Sequence, residues 1–294
     1  MPKINSITRI LVTGGSGMVG SYVKQVFNDA ECILTDLADL NICDRDSVMI
    51  AVEKTSPGLV LHLAAATDVD RCETDRDWAR KVNVTGTENV VSACKNNGVK
   101  LVFLSSAAVF DGSKPLPYIE ADKTGPLNFY GKTKLEAEGI IASRLKDYFI
   151  IRAGWMVGGG GKDVKFVGKI ARMMAGSNSI KAVNDKFGSL TYAKDLLACT
   201  GKLIERGSPG LYHMANHGMV SRYDIALEIK NILGLNKVEI VPVSSSVFPL
   251  PAPRGRSEAM ENSRLKEIGL DGMRNWKDAL RDYLLNDYSG VSAK

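Results

Sequence analysis

The stretch LVTGGSGMVGSYV, residues 11–23, decides how the rest of the chain is read. An apolar run ends at Thr13, glycines follow at positions 14, 15, 17 and 20, and apolar residues resume from Met18. Gly14 permits a tight turn, Gly17 lets backbone approach a pyrophosphate, and Gly20 lets a helix pack closely on a strand. The N–H groups at a helix start then face the anion. Spacing of glycines alone is a weak signal, and a plain Gly-rich turn is the rival reading. The strand–turn–helix context favours a dinucleotide-binding loop.

The surrounding pattern supports that choice. RILVT (9–13), CILT (32–35), LVLHL (59–63), LVFLS (101–105) and FIIR (149–152) are apolar nearly throughout, as parallel strands covered on both faces are. Helical patterns fall between them, around 18–28, 45–55, 75–97 and 129–145. The alternation predicts an α/β fold with a doubly wound parallel sheet of Rossmann type. Further helices are expected at 162–176, 192–205, 221–234 and 274–288, with a strand at 238–243. The Pro-rich FPLPAPRGR (248–256) reads as a long loop. The expected plan is a dinucleotide-binding domain, 1–154 plus 186–214, and a smaller C-terminal α/β substrate-binding domain, 155–185 plus 215–294.

Composition sets bounds. With 45% hydrophobic and 24% charged residues, the 294-residue chain reads as soluble and globular. Its net charge of +5 has no basic block, which argues against a nucleic-acid partner. The five cysteines show no CxxC pair and none of the three histidines adjoins a cysteine, so reduced thiols and no metal site are expected. No apolar run approaches the roughly 20 residues of a membrane span, and MPKINSITR lacks a signal-peptide core. A cytoplasmic protein without a membrane partner is the expectation.

ILTDLAD sets Asp36 at the end of the second strand. A carboxylate there accepts hydrogen bonds from ribose hydroxyls and repels a 2′-phosphate, favouring NAD over NADP. The rival is a solvated strand-end Asp; no Arg or Lys follows directly, although Arg45 is close enough to fold back. GGGGK (158–162) is not a Walker loop, since Met156 stands where its first glycine belongs and Asp163 replaces the Ser or Thr. It reads as a mobile loop beside the site.

In NFYGKTKLEAE, Tyr130 and Lys134 lie one helical turn apart on one face. They follow the fourth strand, whose carboxyl end carries Ser105 and Ser106, and ligands of open parallel sheets bind beyond such ends. Lys134 is expected to lower the Tyr130 pKa and hold the nicotinamide ribose. Ser106 would donate to a substrate oxygen gaining charge, and Tyr130 would pass it a proton as hydride arrives. A strand-end cap and an exposed helix face are the bland readings.

These residues carry a resemblance. TGGSGMVG, LHLAAATDVDRCE, SSAAVFDG and YGKTK resemble the extended short-chain dehydrogenase/reductase superfamily. Later segments, among them IIRAGWMVG (150–158), FGSLTYAKDLL (187–197), GLYHMANHGMVSRYDIALEI (210–229) and NSRL (262–265), resemble its dTDP-4-dehydrorhamnose reductase family nearly end to end. The resemblance implies NAD(P)H-dependent reduction of the C4 keto group of a nucleotide-linked 6-deoxysugar. It implies Ser106, Tyr130 and Lys134 as the catalytic trio and Gly14, Gly17, Met18 and Val19 around the pyrophosphate. Asp36 and Leu37 would meet the cofactor ribose, and Ala64, Ala65 and Ala66 would line its channel. Val69 and Trp155 would contact the sugar, although Trp155 also suits a core, and Arg254 or Arg256 would reach the diphosphate. The family usually writes Ser-Thr-Asp-Tyr where this chain has Ser-Ser-Ala-Ala (105–108), and many relatives carry a basic residue at the Asp36 position. The longer Pro-rich loop is a third departure.

Two other readings stand beside the reductase. One is a nucleotide-sugar epimerase or dehydratase with tightly held NAD, although Ala107 supplies no acid for elimination. The other is a non-catalytic regulatory subunit of the methionine adenosyltransferase type, against which the intact trio argues. A homodimer paired through helices near 75–97 and 129–145 is the superfamily expectation.

Overall fold

A computed structural model describes residues 7–288. The amino-terminal residues 1–6, most of the segment read for a signal peptide, lie outside the described residues, as do 289–294. The five apolar runs form β1 (Arg9–Thr13), β2 (Glu31–Thr35), β3 (Leu59–His62), β4 (Lys100–Ser106) and β5 (Tyr148–Ala153). Between them lie α1 (Val23–Val26), α2 (Arg45–Thr55), α3 (Val69–Thr74), α4 (Arg76–Arg80), α5 (Gly86–Asn97) and α6 (Phe129–Arg144).

The rest of the chain continues through β6 (Trp155–Val157), α7 (Phe166–Met174), β7 (Ser179–Val183), β8 (Phe187–Gly188), β9 (Leu190–Tyr192) and α8 (Ala193–Arg206). It ends through β10 (Gly210–Met214), β11 (Val220–Ser221), α9 (Arg222–Ile232), β12 (Glu239–Val243), β13 (Ser257–Glu258), α10 (Ser263–Glu267) and α11 (Trp276–Asp282). The main sheet has the order β10-β5-β4-β3-β1-β2 with every pair parallel. The strand order turns back at β1, so the crevice beyond the carboxyl ends of β1 and β3 is the switch point where such sheets bind ligands.

Side-chain alternation divides the sheet between two cores. Ile10, Val12, Leu59, Leu61, Val102, Phe149 and Ile151 pack on one face with α1, α7 and α8. Leu11, Val60, Leu101, Phe103 and Ile150 pack on the other with α2, α5 and α6. Smaller sheets surround β8, paired with β11 and β13, while β12 pairs with β7 and β6 with β9.

Several expected elements are altered. The helix expected at 18–28 is a 3₁₀ turn, Gly20–Tyr22, followed by the single turn of α1. Phe27 is buried, and Asn28 and Asp29 are turn-forming residues that return the chain to β2. The helix expected at 75–97 divides into α4, a π-helical turn at Lys81–Thr85, and α5. That turn aims Asn83 at the strand end: Ala66 N–H donates to Asn83 Oδ1 at 2.8 Å, and Asn83 Nδ2 donates to Ala66 O at 3.2 Å and Thr133 Oγ1 at 3.0 Å. The helix expected from residue 162 starts at Phe166, because the Asp163 carboxylate accepts from Lys165 N–H and Gly168 N–H. The GGGGK segment is held rather than loose. Gly159 N–H donates to Tyr22 Oη and Tyr283 Oη donates to Gly160 O. The helix expected at 274–288 is α11 plus a π-helical turn, Tyr283–Asp287. Strand β10 went unread, as did the short strands of the smaller sheets other than β12.

Candidate active site

A cavity of about 1150 Å³ opens beyond the carboxyl ends of the central strands. The glycine loop floors one end. Gly14 has φ +71° there, and a Cβ on it would stand 2.8 Å from Ala64 N, so loop and β3 end are in contact. Gly14, Gly17, Met18 and Val19 line the cavity, as do Ala64, Ala65 and Ala66 opposite. Asp36 and Leu37 close this end. The Asp36 carboxylate accepts from Ser16 N–H at 3.0 Å, from the Ser16 hydroxyl and from Leu37 N–H at 2.8 Å, tying the end of β2 to the glycine loop. A glycine cradle leading into a helical turn, with a carboxylate at its rim, fits a dinucleotide.

At the other end Ser106, Tyr130 and Lys134 line the same cavity. Ser106 is the last residue of β4, and Tyr130 and Lys134 are one turn apart at the start of α6. The start of α6 is fixed by Asn128, whose Oδ1 accepts from Gly131 N–H at 2.9 Å. Gly131 itself lies so near the Ala108 carbonyl that a Cβ would stand 2.1 Å from its oxygen. Ser106 Oγ accepts from Ala108 N–H at 3.2 Å, which leaves its proton to donate. The neighbouring Ser105 instead donates to Glu138 Oε1 at 2.5 Å. Glu138 is further held by a buried two-pronged pair with Arg152, at 3.0 and 2.7 Å.

The electrostatics correct one expectation. Burial pushes the Tyr130 phenol up to about 12, with hydrogen bonding to Ser106 as the lowering influence. Lys134 is not a cause of any lowering. Its ammonium lies 3.9 Å over the Phe103 ring and makes no hydrogen bond or ion pair among the described residues. Burial brings Lys134 down to about 7, against the opposing pull of Glu138. Nearby His62 is buried between Thr13 and Thr87 and held neutral, its pKa lowered by burial to about 3.

The remaining expected residues are distributed along the substrate side. Val69, Trp155 and Arg254 line the cavity, whereas Arg256 is not part of its wall. Trp155 both lines the cavity and packs against the core, and its Nε1 donates to Glu258 Oε2 at 2.8 Å. Arg254 donates to Ala252 O and pairs with Asp70 at 3.1 Å. The Pro-rich loop is tied down by Asn128 Nδ2, which donates to Pro253 O, and by Ala252 N–H, which donates to Asp70. Sequence reasoning missed the four charged wall residues Lys165, Lys186, Arg222 and Glu258. Of these only Arg222 had a signal, the Ser-x-x-Asp cap that precedes α9.

A glycine-floored dinucleotide cleft on a doubly wound sheet, with hydroxyl, phenol and ammonium at its far end, defines an extended short-chain dehydrogenase/reductase, an NAD(P)-dependent oxidoreductase. Within that class the chain belongs to the RmlD substrate binding domain family, which matches residues 8–289. It is 34% identical over 279 residues to a dTDP-4-dehydrorhamnose reductase of Mycolicibacterium smegmatis, covering 93% of this chain and 84% of that protein. The solved dTDP-4-dehydrorhamnose reductase of Yersinia enterocolitica is 41% identical with a TM-score of 0.88, over 94% of this chain and 98% of that one. The Bacillus anthracis dTDP-4-dehydrorhamnose reductase, solved in complex with NADP, is 30% identical with a TM-score of 0.91, over 95% and 99% of the two chains. Among the described residues no helix is long and apolar enough to cross a membrane, and no group of three or more His, Cys, Asp or Glu is placed to hold a metal.

Proposed function

We propose that the chain reduces the C4 keto group of a nucleotide-linked 6-deoxysugar, as its dTDP-4-dehydrorhamnose reductase relatives are named for doing. The observation that carries this reading is Ser106 beside Tyr130 at the head of the cavity, one with a proton to donate and the other fully protonated at neutral pH. The nicotinamide cofactor supplies the hydride. Ser106 donates a hydrogen bond to the keto oxygen, where negative charge develops as the carbonyl π pair moves onto it. Tyr130 gives that oxygen its proton, so the ketone becomes an alcohol and the phenol a phenolate, which solvent reprotonates. Lys134 offers N–H donors to the cofactor ribose. Gly14, Gly17, Met18 and Val19 would hold the pyrophosphate, Val69 and Trp155 the sugar, and Arg254 the diphosphate.

NADH is the proposed preference, because an Asp36 carboxylate at the ribose repels a 2′-phosphate. The relative that holds NADP supports the other choice, so both reductants belong in the test. The full chain is given a dTDP-4-keto-6-deoxyhexose with NADH and, separately, NADPH, and loss of reduced-cofactor absorbance is followed. Consumption in the wild type, with kcat lower by about 10²–10⁴-fold in Tyr130→Phe, is expected. Undiminished turnover by the phenylalanine variant would remove Tyr130 as donor. Interconversion of sugars with retained NAD and no consumption of added reductant would favour an epimerase instead.

A further inference from the structure

The wall of the substrate end carries four cations, Lys165, Lys186, Arg222 and Arg254, and three of them are engaged by the protein. Lys165 donates to Thr67 O at 3.3 Å, Lys186 to Arg254 O at 2.9 Å, and Arg254 to Ala252 O and Asp70. Arg222 differs. Its guanidinium carbon lies 3.7 Å from the Trp155 ring centroid and 4.7 Å from that of Phe166, so its faces are covered by aromatic rings. Among the described residues it makes no hydrogen bond and no ion pair.

Two features keep it that way. Arg222 is the first residue of α9, where Ser221 and Asp224 form a reciprocal cap: Asp224 N–H donates to Ser221 Oγ, and Ser221 N–H and Oγ donate to Asp224 Oδ2. The nearest carboxylate in sequence is thus committed to the backbone. Glu258 also faces Arg222, but one of its oxygens accepts from Trp155 Nε1. Arg254 faces it with like charge, and burial together with that repulsion lowers the Arg222 pKa to about 10. Arg254 is already paired with Asp70, so Arg222 is the guanidinium of this wall whose N–H donors have no hydrogen-bond partner among the described residues.

We propose that Arg222 is the principal anchor for the diphosphate that joins nucleoside to sugar in the substrate. The proposal rests on the nucleotide-sugar reading above and names a residue that reading did not include. A stacked guanidinium has its plane fixed and its N–H edge exposed, which matches two phosphate oxygens at once. A sugar hydroxyl would accept one hydrogen bond there and leave the rest of the guanidinium edge unused.

The test is calorimetric titration of the full chain with dTDP, with thymidine and with NADH, in the wild type and in Arg222→Gln. The dTDP dissociation constant is expected to rise about 10- to 100-fold in the variant, while thymidine and NADH constants stay within about twofold. Arg222→Lys, which keeps charge without the fork, is expected to fall between. An Arg222→Gln protein with an unchanged melting curve and wild-type dTDP affinity would overturn the proposal, as would a loss confined to NADH. Should the glutamine variant not fold, the emission of Trp155 in the wild type decides. Addition of dTDP must change it relative to Trp155→Phe, and binding without that change places the diphosphate elsewhere. A wild-type chain that binds none of dTDP, UDP or GDP sinks the nucleotide-sugar reading itself, a result distinct from binding that survives in Arg222→Gln.

Discussion

Ser105 and Ser106 are chemically identical neighbours with opposite duties. Ser105 spends its proton on Glu138, inside the buried pair with Arg152, whereas Ser106 accepts from the backbone and turns its proton toward Tyr130 and the cavity. Ser105→Ala is therefore expected to cost about 1–2 kcal/mol in a urea titration, because a buried carboxylate oxygen loses one of its two donors and keeps Arg152 Nε. Ser106→Ala is expected to leave that titration nearly unchanged and to lower kcat about 10²–10³-fold. Lys134 carries the opposite balance. Its folded pKa, about 7, lies below the unfolded value, so the unfolded chain binds the extra proton between those values and the charged lysine destabilises the fold. Lys134→Met is expected to raise stability by a few kcal/mol below pH 7, with the gain shrinking as pH rises toward 10, while turnover is lost. Melting curves at pH 6 and pH 9.5 check the sign. The trio was legible because order and spacing along the chain carry it. The Lys134 environment was not, since Phe103 and His62 reach it from separate strands, and Arg222 read as one more residue of an amphipathic helix.

At the level of elements, the largest departure from expectation is the π-helical turn at Lys81–Thr85. A periodic apolar pattern runs through 75–97 without a glycine or proline before Gly86, so nothing local announces a break. The reason lies across the fold. One extra residue in the turn aims the Asn83 amide at the backbone of Ala66, beside the cofactor channel, and at Thr133 of α6. Asn83→Ala is expected to cost about 2–3 kcal/mol, since it leaves both Ala66 backbone groups without that partner, and to weaken NADH binding as the Ala64–Ala66 segment loosens. Differential scanning calorimetry with and without NADH separates the two effects. The long buried strands were legible for the complementary reason that their burial on both faces is written into consecutive apolar residues. The two- and three-residue strands of the smaller sheets hold too few residues to show a period.

For the whole molecule, the acid limb of stability follows from two buried imidazoles on opposite sides of β4 and β5. Burial lowers His62 and His213 each to about 3, and both stay neutral in the folded chain. The unfolded chain takes up these protons near pH 6.5, so stability is full above that value and declines as pH falls from about 6.5 toward 3. Urea midpoints at pH 7.5 and pH 5 are expected to differ in that direction, and His62→Gln is expected to narrow the gap. The division of alternate strand residues between two cores has a consequence for how such a chain can change over generations. Substitution can retune the cleft one side chain at a time, but a single inserted or deleted residue within β4 reverses its parity. Val102 and Phe103 would trade cores, and at the strand end the wired Ser105 would stand where the cavity-facing Ser106 hydroxyl belongs. Diversification of this site is open to point mutation and closed to length change in the strand that leads to it.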